Sequence, residues 1–143
     1  MKIKSKITQR VGLGKGIGLI FGGFAFFIIP MILNNTSLFL RFGVWLWYIT
    51  LGALIGIFGV MDNYPYLKLK IPFWFRGIML GGWMNFVISL IAYNELKTMM
   101  VGTAVDGYSP FCIVIGGMIF GLLTDYIATK YIGEGKDLLK EKK

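Results

Sequence analysis

The chain has no histidine, one cysteine and only seven acidic residues in 143. Each shortage removes a class of chemistry. Without histidine, the commonest general base and the commonest metal ligand are both missing. The single cysteine, Cys112, can form no internal disulfide. With no histidine or second cysteine beside it, zinc, haem and iron–sulfur centres built on those side chains are excluded. Seated in an apolar run, Cys112 reads as a small buried hydrophobe. The acids are too scattered for a paired-carboxylate site. Asp125 is the one acid inside a long apolar segment, and no second carboxylate, histidine or serine motif lies near it. The expectation is a protein that is not an enzyme and that uses no cofactor and no metal.

What the chain has in excess is apolar surface. Hydrophobic residues make up 56% of it and the mean hydropathy is +0.69, more than a soluble fold of this length can hide. The excess falls into four runs, at about 11–33, 38–61, 71–93 and 110–132. Each is long enough to cross a hydrocarbon core of roughly 30 Å at about 1.5 Å per residue. This predicts an all-α integral membrane protein, a single four-helix membrane domain over 1–143 with its transmembrane helices in an antiparallel bundle. The net charge of +8 sits at the two ends and in one loop, while the aromatic residues lie inside the apolar runs. Nucleic-acid binding needs the reverse, a basic soluble face with stacking rings, and is excluded.

The start of the chain carries Lys2, Lys4, Lys6 and Arg10 with no acid. A signal peptide begins in the same way, but the run that follows is too long for one and lacks a small-x-small cleavage pattern, so it reads as a retained first helix. The polar turn Asn34-Asn35-Thr36-Ser37 sends the second helix back. Asp62-Asn63 and Tyr64-Pro65 supply turn chemistry before the third run, and Pro72 suits that run's first turn. Residues 94–109 read as the longest loop, around an apolar patch Met99-Met100-Val101 that is either plain loop or laid on the membrane surface. The charged tail from Glu134 reads as a short surface helix.

Loop charge orients the chain. Ten Lys and Arg residues fall before the first run, between the second and third, and after the fourth; the opposite side has Lys97 alone. The positive-inside rule then puts both termini in the cytoplasm, most simply across a plasma (inner) membrane, with the basic segments facing anionic lipid.

Every run carries glycines four apart: Gly14, Gly18 and Gly22; Gly52 and Gly56; Gly77 and Gly81; Gly117 and Gly121. That spacing lines one helix face and lets another backbone come close, within one bundle, between subunits, or both. Gly18–Gly23 and Gly77–Gly82 also resemble one another, as a duplicated two-helix unit would.

The polar residues within the runs are the candidate site. Lys15, Arg76 and Asp125 fall at similar depth. Asp125 is too short to reach the interface and wants a partner, and Arg76 offers a planar fork that binds a carboxylate with two hydrogen bonds. Thr129, one turn on, adds a donor. Asn85, near mid-membrane, is placed to hydrogen-bond across helices. Arg41 and Glu95 suggest a second pair near the outer face. Two functions fit. One is a structural subunit of a membrane complex or homo-oligomer, with the cluster as packing. The other is a small homo-oligomeric channel or transporter for an ion or small anion, lined by Lys15, Arg76 and Asp125.

Overall fold

In the computed structural model, residues 6–61 and 70–138 are described, and within them the backbone forms five α-helices and no strand. They are α1 (Lys6–Ile32), α2 (Leu38–Phe58), α3 (Phe73–Ile91), α4 (Tyr93–Met100) and α5 (Cys112–Tyr131), followed by a single 3-10 turn at Gly135–Leu138. Four of them, α1, α2, α3 and α5, are long and apolar enough to cross a membrane. The turn residues Asp62 to Pro65, and Lys2 and Lys4, lie outside the described residues.

Helix ends follow local chemistry. The Ser37 hydroxyl caps α2 by accepting from the Leu40 N–H at 3.1 Å, and Asn35 just before it takes the left-handed conformation (φ 54°) that asparagine tolerates. Pro72 occupies the N-cap of α3 rather than its first turn, and its carbonyl accepts from the N–H groups of Phe75 and Arg76.

Two expectations are corrected here. Residues 94–100, expected as loop, form α4 together with Tyr93: Glu95 in its first turn and Lys97 in its last suit the helix dipole, and the Ala92 carbonyl accepts from Leu96 N–H. The apolar patch is divided, with Met100 buried under the helix and Val101 exposed. Cys112, expected to be buried, is exposed at the first residue of α5.

The four long helices associate as two pairs. In the first, Gly14 of α1 lies on Gly52 of α2 so closely that a Cβ on either glycine would run into the carbonyl of the other. Gly18 lies on the backbone of Tyr48, Gly22 on Trp45, and Gly56 on the backbone of Arg10 and Val11. In the second, Gly77 of α3 meets Gly121 of α5, and Gly81 meets Gly117, with the same exclusion of a Cβ. Lipid tails are as apolar as leucine, so helices in a membrane associate through close van der Waals contact rather than through escape from water, and glycine maximises that contact. In the two pairs the matching segments Gly18–Gly23 and Gly77–Gly82 make different contacts: Gly18 rests on Tyr48, whereas Gly77 rests on another glycine.

A thin layer joins the pairs. Phe21, Tyr48 and Phe120 form a triangle of rings with centroids 5.0–5.1 Å apart, flanked by buried Leu51 and Ile55. Outward, large apolar side chains such as Met31, Phe39 and Ile91 stand exposed, as lipid-facing residues do.

Candidate functional site: a buried cluster of two arginines and two acids

The buried faces of the helices follow the glycine spacing, and the polar side chains continue it. In α1 the buried residues are Arg10, Gly14, Gly18 and Gly22, all four apart. In α3 the series Gly77, Gly81, Asn85, Ser89 is buried, with Arg76 beside its start. In α5 Gly117, Gly121 and Asp125 are buried, and Thr129 follows at the same interval. Residues four apart share one side of a helix, so each glycine stripe that brings two backbones together carries a polar residue into the seam at its end.

At one end of the molecule these stripes converge. Asp125 and Arg10 are 0% exposed and Arg76 is 6% exposed. The Arg76 Nε donates to Asp125 Oδ2 at 2.8 Å and its Nη2 to Oδ1 at 3.0 Å, the paired geometry that a guanidinium and a carboxylate favour. Arg10 donates through Nη2 to Asp125 Oδ1 and through Nη1 to the Gly133 carbonyl. Thr129 Oγ1 accepts from Arg10 Nη2 at 3.1 Å and lies 3.5 Å from Arg76 Nη2. Glu134, just beyond α5, accepts from Arg76 Nη2 at 3.1 Å. Two cations therefore face two anions, and both oxygens of Asp125 are occupied. Gly59 lies flat against the Arg10 guanidinium, where any side chain would displace it, and the Gly59 carbonyl accepts from Gly135 N–H at 2.9 Å.

The membership differs from expectation: Arg10 and Glu134 join Arg76, Asp125 and Thr129, while Lys15 and Asn85 stand outside the cluster. Lys15 is exposed and stands apart from the cluster; the second cation is Arg10. The reason is angular. Lys15 is one residue off the Gly14–Gly18 stripe, and about 100° of rotation turns it outward, whereas Arg10 lies on the stripe. A basic residue near a chain start reads as solvated charge, yet its spacing of four from Gly14 was the signal that it faces inward.

Asn85 forms a second polar junction, deeper in the span. Its Oδ1 accepts from Trp47 Nε1 at 3.0 Å, tying α2 to α3, and its Nδ2 donates to the Ile113 carbonyl at 2.9 Å, tying α3 to α5. At the opposite end the α1–α2 turn is fastened by neutral hydrogen bonds. Asn34 donates through its backbone to the Met99 carbonyl at 2.9 Å and through Nδ2 to the Val101 carbonyl at 3.1 Å, which fastens the α1–α2 turn to α4. Arg41 and Glu95 form no ion pair. The Arg41 guanidinium stacks 4.8 Å from the Phe26 ring centroid instead, and Glu95 borders an open hollow of about 290 Å³ with Asn35, Asn94, Thr98 and Met99.

Compared with protein-family models, with curated proteins and with solved structures, the chain matches none.

Proposed function

We propose that this is a small non-catalytic polytopic membrane protein that acts as a structural subunit of a membrane complex or of its own homo-oligomer. Its four spans form an antiparallel bundle with both termini cytoplasmic. The opposed order of the close contacts supports the antiparallel reading, since Gly14, Gly18 and Gly22 meet Gly52, Tyr48 and Trp45 in turn. The excess of basic residues at the Arg10 end supports the orientation.

The observation that carries the functional reading is the saturation of the charge cluster. A site that binds or conducts an ion must leave a charge or a ligand position open to it. Here Asp125 is fully enclosed, its oxygens are both taken by guanidinium groups, and the cations are matched by acids. An arrangement of this kind fixes which helices meet and in what register.

The test is the mass of the protein extracted gently into nanodiscs, for the native chain and for Asp125→Asn. A structural subunit gives a discrete assembly that the variant weakens. An assembly that survives Asp125→Asn while ion flux through reconstituted vesicles changes would replace this reading with that of a channel or transporter. The specific feature favouring that second reading is that Arg10 Nε and Thr124 Oγ1 are buried without a hydrogen-bond partner. Orientation is tested separately, by labelling Ser109→Cys in a Cys112→Ala background with an impermeant maleimide in intact cells. Labelling is expected, and protection would reverse the topology.

A further inference from the structure

At the Arg10 end of the molecule Asp125 and Glu134 are turned inward. Both are engaged by arginine, so neither is free to neutralise a lysine on the surface. Lys130, just over one turn beyond Asp125 on α5, is exposed, and among the described residues it forms no ion pair. Its ammonium is instead held against two tyrosine rings, 5.8 Å from the centroid of Tyr126 and 5.9 Å from that of Tyr131. Tyr126 in turn packs on Phe73 of α3, ring centroids 5.7 Å apart, which closes the surface between the two helices. Trp74, next to Phe73, is exposed, and Lys70 stands exposed just before α3 begins.

We propose that this aromatic and basic surface of α3 and α5 is a binding site for the phosphate headgroup of an anionic phospholipid. The inference rests on the membrane-spanning character of these helices and is independent of which membrane side they face. The charge argument selects the occupant. Tyrosine and tryptophan at a helix end settle at the headgroup level of a bilayer, so the Lys130 ammonium is held where lipid phosphates are. A zwitterionic headgroup brings its own cation and competes with lysine for its phosphate; a phosphatidylglycerol headgroup has none. Tyr126 and Tyr131 are both exposed, and their hydroxyls offer further donors to the same group. Lys130 offers a free cation there, with Lys70 exposed just before α3, whereas Arg10 and Arg76 are already committed internally.

The site is tested in phosphatidylcholine vesicles containing either brominated phosphatidylglycerol or brominated phosphatidylcholine, with tryptophan quenching as the readout and Trp74→Phe to isolate the local signal. The expected result is preferential quenching of Trp74 by the anionic lipid, by about fivefold, as one lysine near an anionic headgroup provides. Lys130→Gln should remove most of that preference, Lys130→Arg should keep it, and Lys15→Gln should leave it unchanged. Helicity by circular dichroism confirms that each variant folds. Equal quenching by both lipids, or a preference unaffected by Lys130→Gln, would overturn the site. Complete competition by inorganic phosphate would overturn the lipid as its ligand. Absence of quenching of all four tryptophans by either lipid would instead remove the membrane reading, and the site with it.

Discussion

The two helix pairs solve the same packing problem with different materials. The α1–α2 pair is held by backbone approach at Gly14, Gly18, Gly52 and Gly56, by the bond from Trp45 Nε1 to the Leu19 carbonyl at 2.9 Å and by the Arg41 guanidinium over the Phe26 ring. The α3–α5 pair has equally close glycines, and adds the Arg76–Asp125 ion pair and the bond from Asn85 to the Ile113 carbonyl. One half relies chiefly on dispersion, which is weak per atom and intolerant of added volume. The other holds polar groups that gain their full value only when every partner is present. The difference teaches where each half is vulnerable: shape in the first pair, charge in the second.

The largest effect should come from charge. Asp125→Asn leaves two buried guanidinium groups opposite a neutral amide, and removal of one member of a buried ion pair typically destabilises by about 3–5 kcal/mol. Unfolding in mixed micelles titrated with sodium dodecyl sulfate, followed by circular dichroism, measures it. Arg10→Gln sharpens the comparison, because Arg10 is the charged link from the first pair to the second. It should separate the pairs while leaving cross-linking between α3 and α5 intact, whereas Arg76→Gln should loosen α3 from α5 itself. Next in size, Gly14→Ala and Gly81→Ala each force a methyl group against a facing carbonyl, at about 1–3 kcal/mol. Gly14→Ala should lie at the upper end, since no ion pair remains to hold α1 to α2. Asn85→Ala removes the interhelical bonds to Trp47 and the Ile113 carbonyl and a longer one to the Tyr48 hydroxyl, and should destabilise by about 1 kcal/mol, in line with polar contacts in other membrane helices. The smallest effect belongs to Gly12→Ala. Nothing lies within 4 Å of a Cβ placed there, so the same micelle titration should move by less than about 0.5 kcal/mol. A loss there as large as at Gly14 would mean that α1 presents a second, occupied face.

Much of this fold was legible in the sequence because membrane helices announce themselves by length and apolarity. The four spans lie within a few residues of their expected bounds, and the Arg76–Asp125 contact follows from two costly charges at one depth. What escaped was governed by direction rather than composition. Arg10 resembles a solvated terminal charge until it is seen as the next step of the series Gly14, Gly18, Gly22. Lys15, one residue later, carries the same kind of charge and faces the other way. The helix α4 escaped because eight residues of mixed polarity carry too short a pattern to separate from loop. Arg41 illustrates a third cause: an arginine beside an aromatic ring has an alternative to a carboxylate, and Phe26 of α1 supplies it.

The link between Arg10 and Asp125 spans 115 positions of chain, and that distance has a consequence for biogenesis. Synthesis runs from the amino terminus, so Arg10 leaves the ribosome long before its carboxylate exists. Until α5 is delivered, its guanidinium must wait at the headgroup level, where a long cationic side chain is tolerated. Arg76 meets the same delay, for fewer residues. Arrival of α5 therefore does more than add a span: it is the step that lets both waiting cations be drawn inward, and a nascent chain halted before it would keep them facing water.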